Sequence, residues 1–301
     1  MLNKLLLAFW ANTKKQDDKR IKTLTLPEGV EESVNHKYLS DGHIYHQLDV
    51  YYPEGTTDKL PVIIDIHGGG WMYGDKELNK PYCLTLAKRG NVVFNISYRL
   101  SPEVNPISQL KDIGYALKWV SEHLDDYPCD KSSICITGDS AGGMLSLFTA
   151  MLSVSEELRD IFGVIDFSLK FDAVGLTSPM TRMNGEKPIS FYTRHILGKG
   201  FEKEKWGAYV NVEDIIPFGE MPPTFFVTSS GDFLAKKDTL FAAELFKRKG
   251  IPCELMNWDE VNGKELPHVF SILYPEKEPS RKTIDSMLAF FKKYSRQQVT
   301  E

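Results

Sequence analysis

The pentapeptide Gly138-Asp139-Ser140-Ala141-Gly142 constrains this chain more than any other feature, because of where it stands. An apolar β-rich run, residues 133–137, leads into it, and residues 141 to about 158 behind it are helix-forming. A serine on a strand-to-helix turn flanked by glycines is the signature of a nucleophile elbow. The turn is sharp enough to strain its central residue and to bring neighbouring chain close. Small residues are therefore needed at Gly138 and Gly142, and Gly143 follows. Such a turn lifts the serine hydroxyl above the sheet, while the helix N-terminus favours developing negative charge. The competing reading is a serine that merely caps a helix.

The surroundings of the elbow predict an α/β fold, a mostly parallel central sheet with helices on both faces. Residues 45–52 alternate polar and apolar, as a half-buried strand does. Residues 61–66 (PVIIDI) and 91–97 (NVVFNIS) are dense in Val and Ile, the mark of strands covered on both faces. Helical spacing runs over 78–89, with Gly90 at the C-cap, and over 107–124. Further on, 224–228 and 253–258 read as strands, and 237–249 and 283–294 as helices. Residues 292–301 are expected to fray. One segment breaks the rhythm: 179–217 is polar and aromatic, carrying Phe191, Tyr192, His195, Trp206 and Tyr209. It is expected to form a cap inserted into a body spanning 41–301, joined over the site by the N-terminal segment 1–40. An ordinary long surface insertion is the alternative.

His67-Gly68-Gly69-Gly70-Trp71 follows directly on PVIIDI. Glycines let the backbone approach a reacting group and turn N–H groups inward with no Cβ in the way. A loop of this kind supplies donors to an oxyanion hole, so Gly68, Gly69 and Gly70 are candidates, with the Ala141 N–H as the remaining donor. No GxxxxGK[ST] pattern supports a phosphate loop instead. His67 lacks metal-binding partners and is read as a structural histidine that orders the loop. Trp71, Met72 and the cap aromatics are expected to line a pocket. Asp139 is expected to make local hydrogen bonds beside it and to border the bound substrate.

Chains with such an elbow place the acid and then the histidine after the serine. Two histidines remain, His195 in the expected cap and His268 in a loop between the last strand and the last helix. His268 is the better base, because loops beyond strand C-terminal ends are where these sheets build their sites. Asp232, just past the strand 224–228, is the preferred acid over Asp238, Asp259 and Glu260. Its part would be to hold the imidazole tautomer and stabilise the imidazolium.

Composition excludes several classes. A formal net charge of −5 argues against a sequence-independent nucleic-acid binder, and no long run of like charges marks an interaction tail. The four cysteines show no zinc spacing and read as free, mostly buried thiols. Leu5-Leu6-Leu7-Ala8-Phe9-Trp10 is at the short limit of a signal-peptide core, and charged residues follow at once. An amphipathic helix packed on the body is favoured over an export signal. No run approaches the roughly 20 apolar residues of a membrane span, so no stable membrane insertion and a cytoplasmic location are expected.

HGGGW, Tyr98-Arg99-Leu100-Ser101-Pro102-Glu103, GDSAGG, GDFL and PHVF occur in this order. With them the chain resembles the hormone-sensitive-lipase-like esterases of the α/β-hydrolase superfamily over about residues 45–296. The resemblance implies a triad of Ser140, Asp232 and His268, an oxyanion hole from loop 68–70 and Ala141, and an α-helical cap. It also implies small-molecule esters with short acyl chains as substrates, no cofactor, and on family grounds alone a homodimer. Lys236-Lys237 before Asp238, and serine for alanine in YRLAPE, depart from the family pattern and leave acyl and alcohol preference open. HGGGW also looks like the corresponding element of kynurenine formamidases, which makes an arylformamidase the enzymatic alternative. Non-catalytic ligand receptors of the same fold lose a triad member, and here all three candidates are present.

Overall fold

The computed structural model describes residues 2–184 and 189–295. The chain opens with helix α1 (Leu2–Ile21), none of whose residues is buried. Strands β1 (Val30–Lys37) and β2 (Gln47–Pro53) follow. Strand β3 (Leu60–Ile66) leads through the glycine loop into α2 (Lys76–Lys88), and β4 (Val92–Ile96) leads to α3 (Pro106–His123). β5 (Cys129–Asp139) runs straight into α4 (Ser140–Leu152), followed by α5 (Glu156–Phe162). Next come β6 (Ala173–Thr177), α6 (Ile189–Leu197), α7 (Val212–Ile215) and β7 (Thr224–Ser229). Helix α8 (Lys236–Arg248), β8 (Cys253–Trp258), the single turn α9 (Phe270–Leu273) and α10 (Glu278–Tyr294) complete the order.

The eight strands form one sheet in the order β1-β2-β4-β3-β5-β6-β7-β8. β1 and β2 pair antiparallel, and every pairing from β4 to β8 is parallel. β4, β6 and β7 are buried at every residue, as strands with helices on both faces must be. The side-chain period of two splits β3 between the layers: Val62, Ile64 and Ile66 enter the core shared with α3, α4 and α8, and Ile63 the one shared with α2 and α10. From β3 the chain moves to β4 on one side and then returns to β5 on the other. The loops leaving the carboxyl ends of β3 and β5 therefore diverge and open a crevice between them.

Several expectations are corrected. Residues 30–37 belong to the sheet as an exposed edge strand and not to the cap; their burial shows no strict alternation, and their charges suit an edge. β6 is short, contains Gly175 and carries no alternation that would mark it. The long helix expected after the elbow breaks at residues 153–155, where the Ser155 hydroxyl accepts from the Leu158 N–H and starts a new helix. α10 runs to Tyr294, and residues 296–301 of the expected frayed tail lie outside the described residues. So do residues 185–188 of the segment 179–217. No described helix is long and apolar enough to cross a membrane.

Candidate active site

Ser140 adopts φ +48°, in the left-handed region that a side-chain-bearing residue seldom occupies. The crowding around it explains the glycines. A Cβ on Gly142 would stand 2.1 Å from the Ile66 carbonyl oxygen and 2.3 Å from that of His67. One on Gly138 would stand 2.4 Å from Ser146 Oγ. The elbow thus presses α4 directly on the end of β3, which brings the serine beside the glycine loop.

Ser140 Oγ lies 3.0 Å from His268 Nε2, and His268 Nδ1 lies 2.7 Å from Asp232 Oδ1. Residues separated by more than a hundred positions thereby form one hydrogen-bonded chain. Two anchors hold the His268 loop: the Ser229 hydroxyl donates to the Leu266 carbonyl at 2.8 Å, and the Val269 N–H donates to Ser178 Oγ at 3.3 Å. Asp232 is 1% exposed and also accepts from the Ala235 N–H and the Thr228 hydroxyl. Burial by itself would raise its carboxyl, but the hydrogen bond and charge of His268, with the Ala235 N–H, hold it below the usual carboxylate value. The rival acids are placed elsewhere. Asp238 accepts two bonds from the Arg182 side chain, at 2.7 and 3.1 Å, and fastens the start of the 179–217 segment to α8. Asp259 and Glu260 are exposed. His195 pairs with Asn3 of α1.

Of the candidate oxyanion donors, Gly68 is otherwise engaged: its N–H donates to Asp139 Oδ1 at 2.9 Å. Gly69 and Gly70 sit at φ +108° and +58°, and their N–H groups have no partner among the described residues. The Ala141 N–H belongs to the first turn of α4, where no intrahelical carbonyl can reach it. His67 is fully buried, stacks on Tyr98 with ring centroids 4.3 Å apart, and lies with Nδ1 2.8 Å from the Gly68 carbonyl. Burial pushes its pKa down to about 4, so it is a neutral structural ring.

Behind the loop lies a network that the sequence reading did not find. Asn79 Nδ2 donates to Asp139 Oδ1 at 2.9 Å and to Asp65 Oδ2 at 3.0 Å. All three side chains are buried, and burial together with the neighbouring Asp139 charge pushes the Asp65 carboxyl up to about 8. Asp139 is likewise raised, by burial. The charge inside PVIIDI was the one available signal; nothing local marks Asn79. Asp139 borders the cavity, and its Oδ1 accepts from both the Gly68 N–H and Asn79 Nδ2, so it ties the glycine loop to the elbow.

The site opens into a cavity of about 710 Å³ with a mostly apolar lining. Ser140, His268, Gly69, Gly70 and Trp71 form its floor. Met72 does not line it: the turn in which the Met72 N–H donates to the Gly69 carbonyl sends this side chain into the core, where it is 4% exposed. Of the aromatics in 179–217, Tyr192 reaches the cavity, whereas Trp206 stacks on Phe201 and Tyr209 meets Phe218 edge-on. Helix α1 roofs the cavity with Leu6, Phe9 and Trp10. Arg20 holds the helix down through the Leu273 carbonyl at 2.6 Å.

A family model described as BD-FAE matches residues 48–190. Carboxylesterase NlhH of Mycobacterium tuberculosis is 30% identical over 229 residues, which cover 72% of this chain and 70% of that protein. The crystal structure of esterase B from Lactobacillus rhamnosis superposes with a TM-score of 0.90 at 30% identity, over 99% of this chain and 96% of that one. An esterase from Pyrobaculum calidifontis shares the fold, with a TM-score of 0.73 at 22% identity over 97% of this chain and 94% of that one. With this fold and these relatives, the chain belongs to the α/β-hydrolase esterases and is a carboxylesterase-type hydrolase.

Proposed function

We propose that Ser140 is the nucleophile of this esterase, His268 its general base and Asp232 the group that orients the histidine. The observation that carries the reading is the unbroken chain from Ser140 Oγ through His268 to Asp232, at 3.0 and 2.7 Å, on the floor of the cavity. Ser140 Oγ attacks the ester carbonyl carbon while its proton passes to His268 Nε2. The oxyanion is held by the N–H groups of Gly69, Gly70 and Ala141. His268 then protonates the departing alkoxide, leaving an acyl-enzyme, and a water activated by the same histidine releases the acid. Asp232 stays ionised throughout, in keeping with its lowered pKa.

The substrates on this reading are carboxylic esters with short acyl chains. Supporting it are the apolar cavity of about 710 Å³ and a relative, esterase B, solved with a tributyrin phosphonate inhibitor. Helix α1 and the 179–217 segment act as the cap. The ester-hydrolase names of the relatives favour esters over the formamide alternative. Four cysteines present as free thiols suit a reducing, cytoplasmic setting.

The test is labelling of the intact protein with a fluorophosphonate, mapping of the adduct, and turnover of p-nitrophenyl esters by Ser140→Ala. An adduct on Ser140 and a loss of about 10⁶-fold in kcat are expected, by analogy with removal of other triad nucleophiles. Unchanged hydrolysis by the variant would overturn the assignment.

A further inference from the structure

The roof meets the glycine loop most closely at Gly70. A Cβ there would stand 2.4 Å from Trp10 Cζ2 of α1 and 2.9 Å from Tyr192 Oη of α6. The Tyr192 hydroxyl donates to the Gly70 carbonyl. Three residues on, Tyr73 stacks on Trp10, with ring centroids 5.6 Å apart and planes 19° apart, and donates its hydroxyl hydrogen to Asp17 Oδ2 at 3.1 Å. The Tyr73 N–H returns to the Gly69 carbonyl at 3.0 Å, closing the turn. Gly69 and Gly70 lack a Cβ to fix their backbone, so the bonds to their carbonyls set it, and their N–H groups are the ones offered to the oxyanion. From the sheet side the buried Asp139 network reaches only Gly68.

We propose that Tyr192 and Trp10 are positioning residues for the oxyanion hole. Seating of α6 fixes the Gly70–Trp71 peptide through the Tyr192 hydroxyl. Seating of α1 fixes, through Trp10 stacked on Tyr73, the turn whose bond to the Gly69 carbonyl aims the Gly70 N–H, so the hole is complete only when the roof is closed. The inference rests on the assignment of Ser140 and the oxyanion donors above. It makes the roof part of the chemical step, whereas a simple cover would affect only entry and binding of substrate. A glycine peptide left to rotate delivers its N–H to the oxyanion for part of the time, and transition-state stabilisation falls in proportion.

The experiment uses Tyr192→Phe, which keeps the ring and removes the hydroxyl, and Trp10→Phe, which withdraws the ring edge from Gly70. Each is assayed with p-nitrophenyl acetate, an acyl group too small to need the roof for binding, and with a trifluoromethyl ketone that forms an oxyanion adduct on the serine. For both variants kcat is expected to fall about tenfold, below the roughly 10²–10³ of a deleted donor. KM should stay within about twofold, and Ki for the ketone should rise by the same factor as kcat falls. Thermal unfolding of each variant identifies losses due to misfolding. A rise in KM alone, or kcat and Ki unchanged in the folded Tyr192→Phe protein, would overturn the proposal. Fluorophosphonate mapping of the wild type separates the two levels: an adduct elsewhere than Ser140 defeats the underlying assignment, while an adduct on Ser140 with an insensitive Ki defeats only the positioning role.

Discussion

The floor and the roof of the cavity face the same space but are built in opposite ways. Beneath it, every residue of α4 after Ser140 is buried, and the glycines of the elbow are packed against backbone. Above it, no residue of α1 is buried, and Leu5 and Phe9 are 63% and 59% exposed. Asp232 is held by Thr228 of β7, the His268 loop by Ser229 of β7 and by Ser178, and Ser140 by its place between the end of β5 and α4. By contrast, α1 is held by a few tethers: Asp17 to Tyr73, Arg20 to the Leu273 carbonyl and Asn3 to His195. The proposed reacting groups stand on the most deeply buried part of the fold, and the helix that roofs them and reaches the glycine loop is among the least buried.

The contrast can be broken at several points. On the floor, Asp232→Asn should lower kcat by about 10⁴-fold with little change in Tm, because the amide leaves the geometry but favours the wrong imidazole tautomer. Steady-state kinetics with a p-nitrophenyl ester checks this, and a loss of less than about tenfold would remove Asp232 from the triad. Gly142→Ala should cost about 3 kcal/mol or more, read in urea unfolding, since its Cβ meets two backbone carbonyls that cannot retreat.

The buried network makes a pH prediction. The Asp65 carboxyl, at about 8 against an ordinary 3.8, holds its proton in the folded state after the unfolded chain has lost it. Its stabilising effect is therefore complete below about pH 4 and is lost as pH rises through about 8. Asp65→Asn keeps the acceptor for Asn79 and removes the titration, so its Tm should fall less than the wild type's between about pH 5 and about pH 8. An equal fall in both proteins would show that the slope arises elsewhere.

The smallest effect belongs to the roof. Leu6→Ala with Phe9→Ala should raise KM for p-nitrophenyl octanoate about fivefold, a loss of roughly one to two buried methylenes' worth of contact. Tm should move by no more than about 2 °C. A large drop in Tm would mean that α1 is structurally part of the floor.

Much of the floor is legible in the sequence, because its requirements are local. A sharp strand-to-helix turn admits only small neighbours, an oxyanion loop needs bare backbone, and the acid and base follow strand ends in a fixed order. Gly138 and Gly142 stand where the backbone crowds them, and Ser140, His268 and Asp232 come within hydrogen-bond distance of one another. Edge strand β1 and the short β6 were not legible, because neither carries the alternation or the apolar run that marks a strand.

What only the tertiary structure decided are partnerships between residues far apart in the chain. The same glycine run could offer three donors, yet Asp139 takes the Gly68 N–H and leaves two. Trp71 and Met72 are adjacent and both are buried in the core, yet only Trp71 also borders the cavity. Asp238 and Asp232 are both acids past the same strand, and the fold brings Arg182 to the first and His268 to the second. Backbone conformation is encoded within a few residues, whereas the partner of a buried polar group is chosen by which distant element the fold brings beside it.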